Sequence, residues 1–264
     1  MEKYDIIIQG GQSNAEGAGR GETREEYLPD ERILYLNAPK TVTTHKGMTY
    51  VTYRNQPLVI EVAEERVADG LKVNNFSLSF ARDYVDAGLL AEDRKLLIIR
   101  AGIGATGFYQ GHWGFNRPLY LKLLEMVEYA LSLNPEENRL VGFLWHQGES
   151  DARRGTPPET YYQYITEMVA DVRTRFNAEG LPFVAGDFVH HWKYNEQNAE
   201  FTEPTIAELT RACEEMGNGA FVTTEGLLSN NQDNGRADII HFCRQAQTDL
   251  GHRYFKAYQS IIGK

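Results

Sequence analysis

The 264-residue sequence predicts an α/β protein: a mostly parallel β-sheet with helices on both faces, in a single domain spanning residues 1–264. Three observations carry this. Continuous apolar runs at Ile6-Ile7-Ile8, Leu96-Leu97-Ile98-Ile99, Leu140 to Trp145 and Phe183-Val184-Ala185 do not alternate polar with apolar, so each reads as a strand buried on both faces. Helical patterns stand between the runs, which implies βαβ units whose helices cover the sheet. No internal repeat, low-complexity linker or break in composition marks a domain boundary.

In chain order, the first strand ends in Gly10-Gly11 and is followed at once by Gln12-Ser13-Asn14. A charged stretch from Arg20 to Glu31 reads as loop, and Arg32 to Asn37 as a second short strand. Residues 38–75 form a long surface excursion with a helical period only at Ile60–Ala68, and excursions of that length are usually functional or mobile. Helices are expected at Phe76–Ala87 (stopped by Gly88), Leu119–Leu133 (Pro118 at its start), Pro158–Phe176, Thr205–Met216 and Gln245–Ile262. Ala220 to Thr223 is a late strand.

Composition limits the partners. A formal charge of -10 and a pI near 5.3 argue against a nucleic-acid surface, which wants a basic face. The two cysteines, Cys213 and Cys243, are too few for a disulfide framework and form no CxxC pair. No apolar run approaches the roughly 18 residues of a membrane helix. The chain enters its first strand without a charged and then apolar leader, which predicts a soluble, cytoplasmic protein.

In an open α/β sheet, ligands bind beyond the carboxyl ends of the strands. The runs ending at Ile8, Ile99 and Trp145 lead into glycine-rich or polar segments, so three loops should converge on one crevice. Ser13 stands in the first. Alone, it reads equally well as a turn residue capping the next helix. Near the C-terminus, Asp238 and His241 are three apart in a loop before the last helix. One turn of chain lets that carboxylate reach Nδ1 and leaves Nε2 free for a hydroxyl.

Gly11-Gln12-Ser13-Asn14, Gly104-Ala105-Thr106, Trp145-His146-Gln147-Gly148-Glu149-Ser150-Asp151 and Asp238-Ile239-Ile240-His241-Phe242 resemble the sequence blocks of SGNH-type carbohydrate esterases. The resemblance is to the sialate O-acetylesterase and family 6 acetylxylan esterase group, and it runs from the first strand to Tyr254. It implies a three-layer α/β/α sandwich of the SGNH-hydrolase, flavodoxin-like kind, with no metal or other cofactor. Ser13 would be the nucleophile, His241 the base and Asp238 its orienter. The Ser13 and Gly104 backbone N–H groups and the Gln147 side chain would form the oxyanion hole. Ala105 stands where a second glycine is usual, so which amide serves the oxyanion stays open there. Cys243 and Ala246 replace a common Ser or Asn and a common Gly, and Gly107–Trp113 is longer than usual.

Other residues invite second readings. Gln12, His146 and Glu149 read as groups that brace the site, and Asp151 as a helix cap. Trp113 is the aromatic expected to stack on a sugar ring, and Arg20 is equally a substrate contact or a surface residue. His190 and His191, adjacent on an expected strand, would point to opposite faces and rarely serve one ion. The expected function is a serine esterase that removes O-acetyl groups from acetylated sugars, acetylxylan esterase-like, with a sialate O-acetylesterase as the alternative. Two rivals are a catalytically silent carbohydrate-binding protein and a metal-dependent hydrolase built on His146, Glu149, Asp151 and His190 or His191.

Overall fold

The structure, a computed structural model, describes residues 1–263. The elements run β1 (Tyr4–Gly11), α1 (Ser13–Glu16), β2 (Ile33–Asn37), β3 (Lys40–His45), β4 (Met48–Tyr53), β5 (Val59–Val62), β6 (Arg66–Ala68), β7 (Leu71–Val73) and α2 (Phe76–Asp86). Then come β8 (Lys95–Arg100), α3 (Pro118–Ser132), β9 (Arg139–His146), α4 (Glu149–Arg154), α5 (Pro158–Arg175) and β10 (Phe183–Gly186). The chain closes with α6 (His190–Lys193), α7 (Ala199–Glu215), β11 (Gly219–Val222), α8 (Asn230–Asn234) and α9 (Arg244–Ile262).

Seven strands form one sheet in the order β11-β10-β9-β1-β8-β2-β5, and every pair is parallel except β2 with β5. The central strand β1 is buried along its whole length, as its unbroken apolar run requires. Helix α2 packs on α9, with the Phe76 and Tyr254 rings 4.4 Å apart. From β1 the chain runs past β8 to β2, returns through α2 to β8, and then crosses β1 through α3 to reach β9. The end of β1 lies at this reversal, which is where an open α/β sheet places its ligand.

Two expectations are corrected. Ile60–Ala68 is not helical but contributes β5 and β6: Val59, Ile60 and Val62 are β-branched, and β2 offers them a free edge, with Leu34 opposite Val62 and Asn37 opposite Val59. The rest of the excursion folds into two hairpins, β3–β4 and β6–β7. Helix α7 starts at Ala199, six residues before the expected start, and carries Pro204 inside it. Pro204 gives up one backbone bond near the helix start, while buried Thr202 and the Phe201 ring, 6.0 Å from Trp192, fix the first turn. Among the described residues no helix is long and apolar enough to cross a membrane.

Candidate active site

The carboxyl end of β1 sits between β9 and β8, with Gly11 opposite His146 and Gln9 opposite Arg100. Gly11 has φ 130°, and any side chain there would overlap the His146 carbonyl. That close approach lets Gln12 N–H bond the same carbonyl at 2.9 Å and throws Ser13 out as the first residue of α1. An N–H in the first turn of a helix has no intrahelical acceptor, so the Ser13 amide faces the crevice free for other work.

Ser13, His241 and Asp238, 228 residues apart along the chain at the extremes, stand in one hydrogen-bonded line. His241 Nε2 lies 2.9 Å from Ser13 Oγ, and Nδ1 lies 2.9 and 3.0 Å from the two Asp238 oxygens. A carboxylate can only accept, so Nδ1 carries the proton and Nε2 is left to accept from the serine hydroxyl. All three residues are partly exposed. Burial pushes the Asp238 carboxyl up, but the hydrogen bond and charge of His241 and the Asn230 amide at 2.8 Å outweigh it and hold the group below the usual carboxylate range. Asn230 is pinned in turn by Arg20 N–H and the Ala18 carbonyl.

The glycine loop after β8 reaches Ser13. Gly104 is close enough that a Cβ there would stand 3.5 Å from Ser13 Cβ, yet its N–H donates to Glu16 Oε2 at 2.8 Å. Ala105, in place of the usual glycine, takes a left-handed φ of 55°. The Gln147 side chain is completely buried. Its Nε2 donates to Asp151 Oδ2 at 2.6 Å, and its other contacts, with Gln12 Oε1 and the Thr106 carbonyl, are 3.4 Å long.

Asp151 does not cap a following helix, as the sequence suggested; it lies in the first turn of α4 and is fully buried. It accepts from the Phe108 and Tyr109 N–H groups, the Thr156 hydroxyl and Gln147, so it ties the glycine loop to the β9 loop. Gln12 ties the end of β1 to the same β9 loop, its Oε1 accepting Ser150 N–H at 3.1 Å. His146 Nδ1 donates to the Tyr254 hydroxyl, whose own proton goes to the Trp145 carbonyl; burial pushes the His146 pKa down to about 3, so the ring is neutral.

Trp113 is not a sugar platform. It is 1% exposed, packs edge-on against Trp145 with centroids 5.0 Å apart, and donates Nε1–H to Thr106. The longer glycine segment folds its tryptophan inward and leaves Tyr109, 59% exposed, outside. His190 and His191 lie on a short helix, not a strand; His191 bonds Ser229, and the exposed His190 packs on Tyr194. His146, Glu149, Asp151 and His191 therefore serve four different partners. Among the described residues no three His, Cys, Asp or Glu side chains converge to hold an ion.

Sequence reading missed Asn14, Glu16, Asn230 and the structuring part of Asp151. Asn14 follows Ser13 directly, and its position was the only available signal.

A mostly parallel sheet with serine, histidine and aspartate in line at its carboxyl end is the arrangement that the resemblance to SGNH-type esterases implies. The family model described as carbohydrate esterase, sialic acid-specific acetylesterase, matches residues 3–260, and the chain belongs to that family of carboxylic ester hydrolases. Among solved structures it is similar to NanS (20% identity, TM-score 0.77), covering 100% of this chain and 99% of that one. A protein from Arabidopsis thaliana (19%, TM-score 0.70) is covered to 99% by 98% of this chain. A carbohydrate acetylesterase from Xanthomonas citri (15%, TM-score 0.65) is covered to 57% by 98% of this chain. At these identities the likeness shows the fold alone. No curated protein sequence matches the chain.

Proposed function

We propose that the protein is a serine esterase that removes O-acetyl groups from acetylated sugars or oligosaccharides through an acetyl-enzyme. The 2.9 Å contact between Ser13 Oγ and His241 Nε2, with Asp238 behind, is the observation that carries this reading. Ser13 Oγ attacks the ester carbonyl and His241 takes its proton. The tetrahedral oxyanion meets the Ser13 and Gly104 N–H groups, the substrate displacing the Glu16 carboxylate from Gly104, and Gln147 lends the N–H that only 3.4 Å contacts hold. His241 then returns the proton to the leaving sugar alkoxide. A water, deprotonated by the same imidazole, attacks the acetyl-enzyme and releases acetate and free serine. Exposed Tyr109 takes the stacking part expected of Trp113.

One observation favours the sialate alternative over a neutral xylan. Lys40 and Arg66 both lie within the field of the Glu16 carboxylate, and Arg66 and Arg100 hold the Gly17 and Glu16 carbonyls at the end of α1. A cluster of cations beside the nucleophile suits a sugar that carries its own carboxylate.

The test is hydrolysis of a chromogenic acetate ester by wild type and Ser13→Ala, each with and without a chelator, followed by O-acetylated sialic acid against acetylxylan. The reading expects Ser13→Ala at background, no effect of chelator, and preference for the anionic sugar. Activity surviving in Ser13→Ala, or lost with chelator, would overturn the serine mechanism. Preference for acetylxylan would return the neutral substrate.

A further inference from the structure

We infer that Asn14 is a positioning residue for the base, gripping the backbone on both sides of His241, and that Glu149 holds Asn14 in place. The inference rests on the esterase reading above.

Asn14 is fully buried beneath the hydrogen-bonded line. Its Oδ1 accepts the Phe242 N–H at 3.2 Å, and its Nδ2 donates to the Ile240 carbonyl at 3.1 Å and to Glu149 Oε1 at 2.9 Å. The peptide groups flanking His241 are thus held by one amide. The orientation of that amide follows from chemistry, since a backbone N–H can only donate and a backbone carbonyl only accept. Oxygen must face Phe242, and nitrogen must face Ile240, which leaves one N–H over. Glu149 takes it.

Asn14 is also the chain neighbour of Ser13, and its own carbonyl accepts from Gln247 Nε2 on α9 at 3.3 Å. Backbone carrying the nucleophile and backbone carrying the base are therefore joined through a single side chain across 228 residues. A base misplaced by about 1 Å costs on the order of 10²-fold in rate, so this joint bears directly on turnover.

Glu149 is used here as an acceptor and not as a charge. It is completely buried, and its Oε2 has no hydrogen-bond partner among the described residues. No lysine or arginine pairs with it among the described ion pairs, and burial pushes its carboxyl above the usual range. A glutamine at 149 supplies the same acceptor to Asn14, and a leucine supplies none.

The experiment measures kcat and KM for a chromogenic acetate ester across pH, normalised to sites titrated with a reactive organophosphonate, for wild type, Asn14→Leu, Glu149→Gln and Glu149→Leu. We expect Asn14→Leu and Glu149→Leu to lower kcat per titrated site by roughly 10- to 100-fold, with KM within about threefold and a shifted acid limb of the pH profile. Glu149→Gln should stay within about threefold of wild type, and the Asn14→Leu/Glu149→Leu double variant should fall little below either single one. If Asn14→Leu fails to fold, Asn14→Ser and the Glu149 pair carry the same comparison.

Two results overturn the inference. In the first, activity falls only in proportion to titratable sites, so Asn14 merely stabilises the fold. In the second, Glu149→Gln falls as far as Glu149→Leu, so the charge of Glu149 is what matters. These outcomes are distinct from failure of the underlying reading, in which wild type shows no turnover or Ser13→Ala remains active.

Discussion

The carboxyl end of the sheet and the excursion between β2 and α2 are held by different forces. Around β1 and β9 the joints are buried hydrogen bonds made largely by amides and hydroxyls: Gln12 to Ser150, Asn14 to Phe242, and the Tyr161 hydroxyl to the Gln147 carbonyl at 2.7 Å. The excursion exposes most of β3, β5, β6 and β7 and is pinned by ions. Arg244 bonds both Glu65 and Glu26 at 2.6 Å, and Lys72 joins the same carboxylates. Arg66 fastens β6 to the Gly17 carbonyl at the end of α1. Dry directional bonds fix atoms that must meet to within a fraction of an ångström. Ion pairs reaching solvent hold a segment that lends charge to the rim and can respond to conditions.

Four perturbations test that contrast, starting with the largest expected effect. Gln147→Leu removes a donor from the dry site and should lower kcat by about 10²–10³, read per titrated site; a loss below tenfold would remove Gln147 from the oxyanion role. Arg244→Met strips the guanidinium from Glu65, whose side chain is as buried as that of Arg244, and should cost about 3 kcal/mol in denaturant unfolding. If the excursion is held independently of its ions, that loss will stay under about 1 kcal/mol, the range of exposed pairs.

The third perturbation is pH. His252 bonds Asp83 at 2.6 Å and Glu25 at 3.3 Å, and the Asp83 hydrogen bond leads in raising its pKa to about 9 from an ordinary 6.5. A raised folded-state pKa means the stabilisation is complete below pH 6.5 and disappears as pH rises through 9. Melting temperature should therefore drop across that window in wild type and stay flatter in His252→Gln; equal slopes would show that the clamp does not contribute. Last, Ala105→Gly relieves a left-handed alanine and should raise stability by about 1 kcal/mol without changing turnover.

The elements that reading along the chain located best were those whose signal is local. The runs at 6–8, 96–99, 140–145 and 183–185 became the central parallel strands, because a strand buried on both faces must be apolar at every position. Ile60–Ala68 was misread because β-branched residues in a short window fit a helical period, and only the free edge of β2 decides for a strand. Trp113 was misread for a related reason: an aromatic beside a glycine loop looks the same in sequence whether it faces sugar or core. Packing against Trp145 turned it inward. Glu16 is one turn past Ser13, and nothing along the chain says that its carboxylate sits on the Gly104 amide.

By itself, the sequence determined the central parallel strands, the helices between them, and the hydroxyl, carboxylate and imidazole at Ser13, Asp238 and His241 that can hydrogen-bond in one line. Spacing of three between Asp238 and His241 made their contact a local matter. Everything that depends on approach between distant segments was left to the tertiary structure: the 2.9 Å from Ser13 to His241, the Asn14 grip on the backbone around His241, the Phe108 and Tyr109 N–H groups brought to Asp151, and the arginines at the end of α1. The reason is physical. Hydrogen-bond partners 40 to 230 residues apart are chosen by strand order and crossover handedness, and neither is written in any short window of the chain.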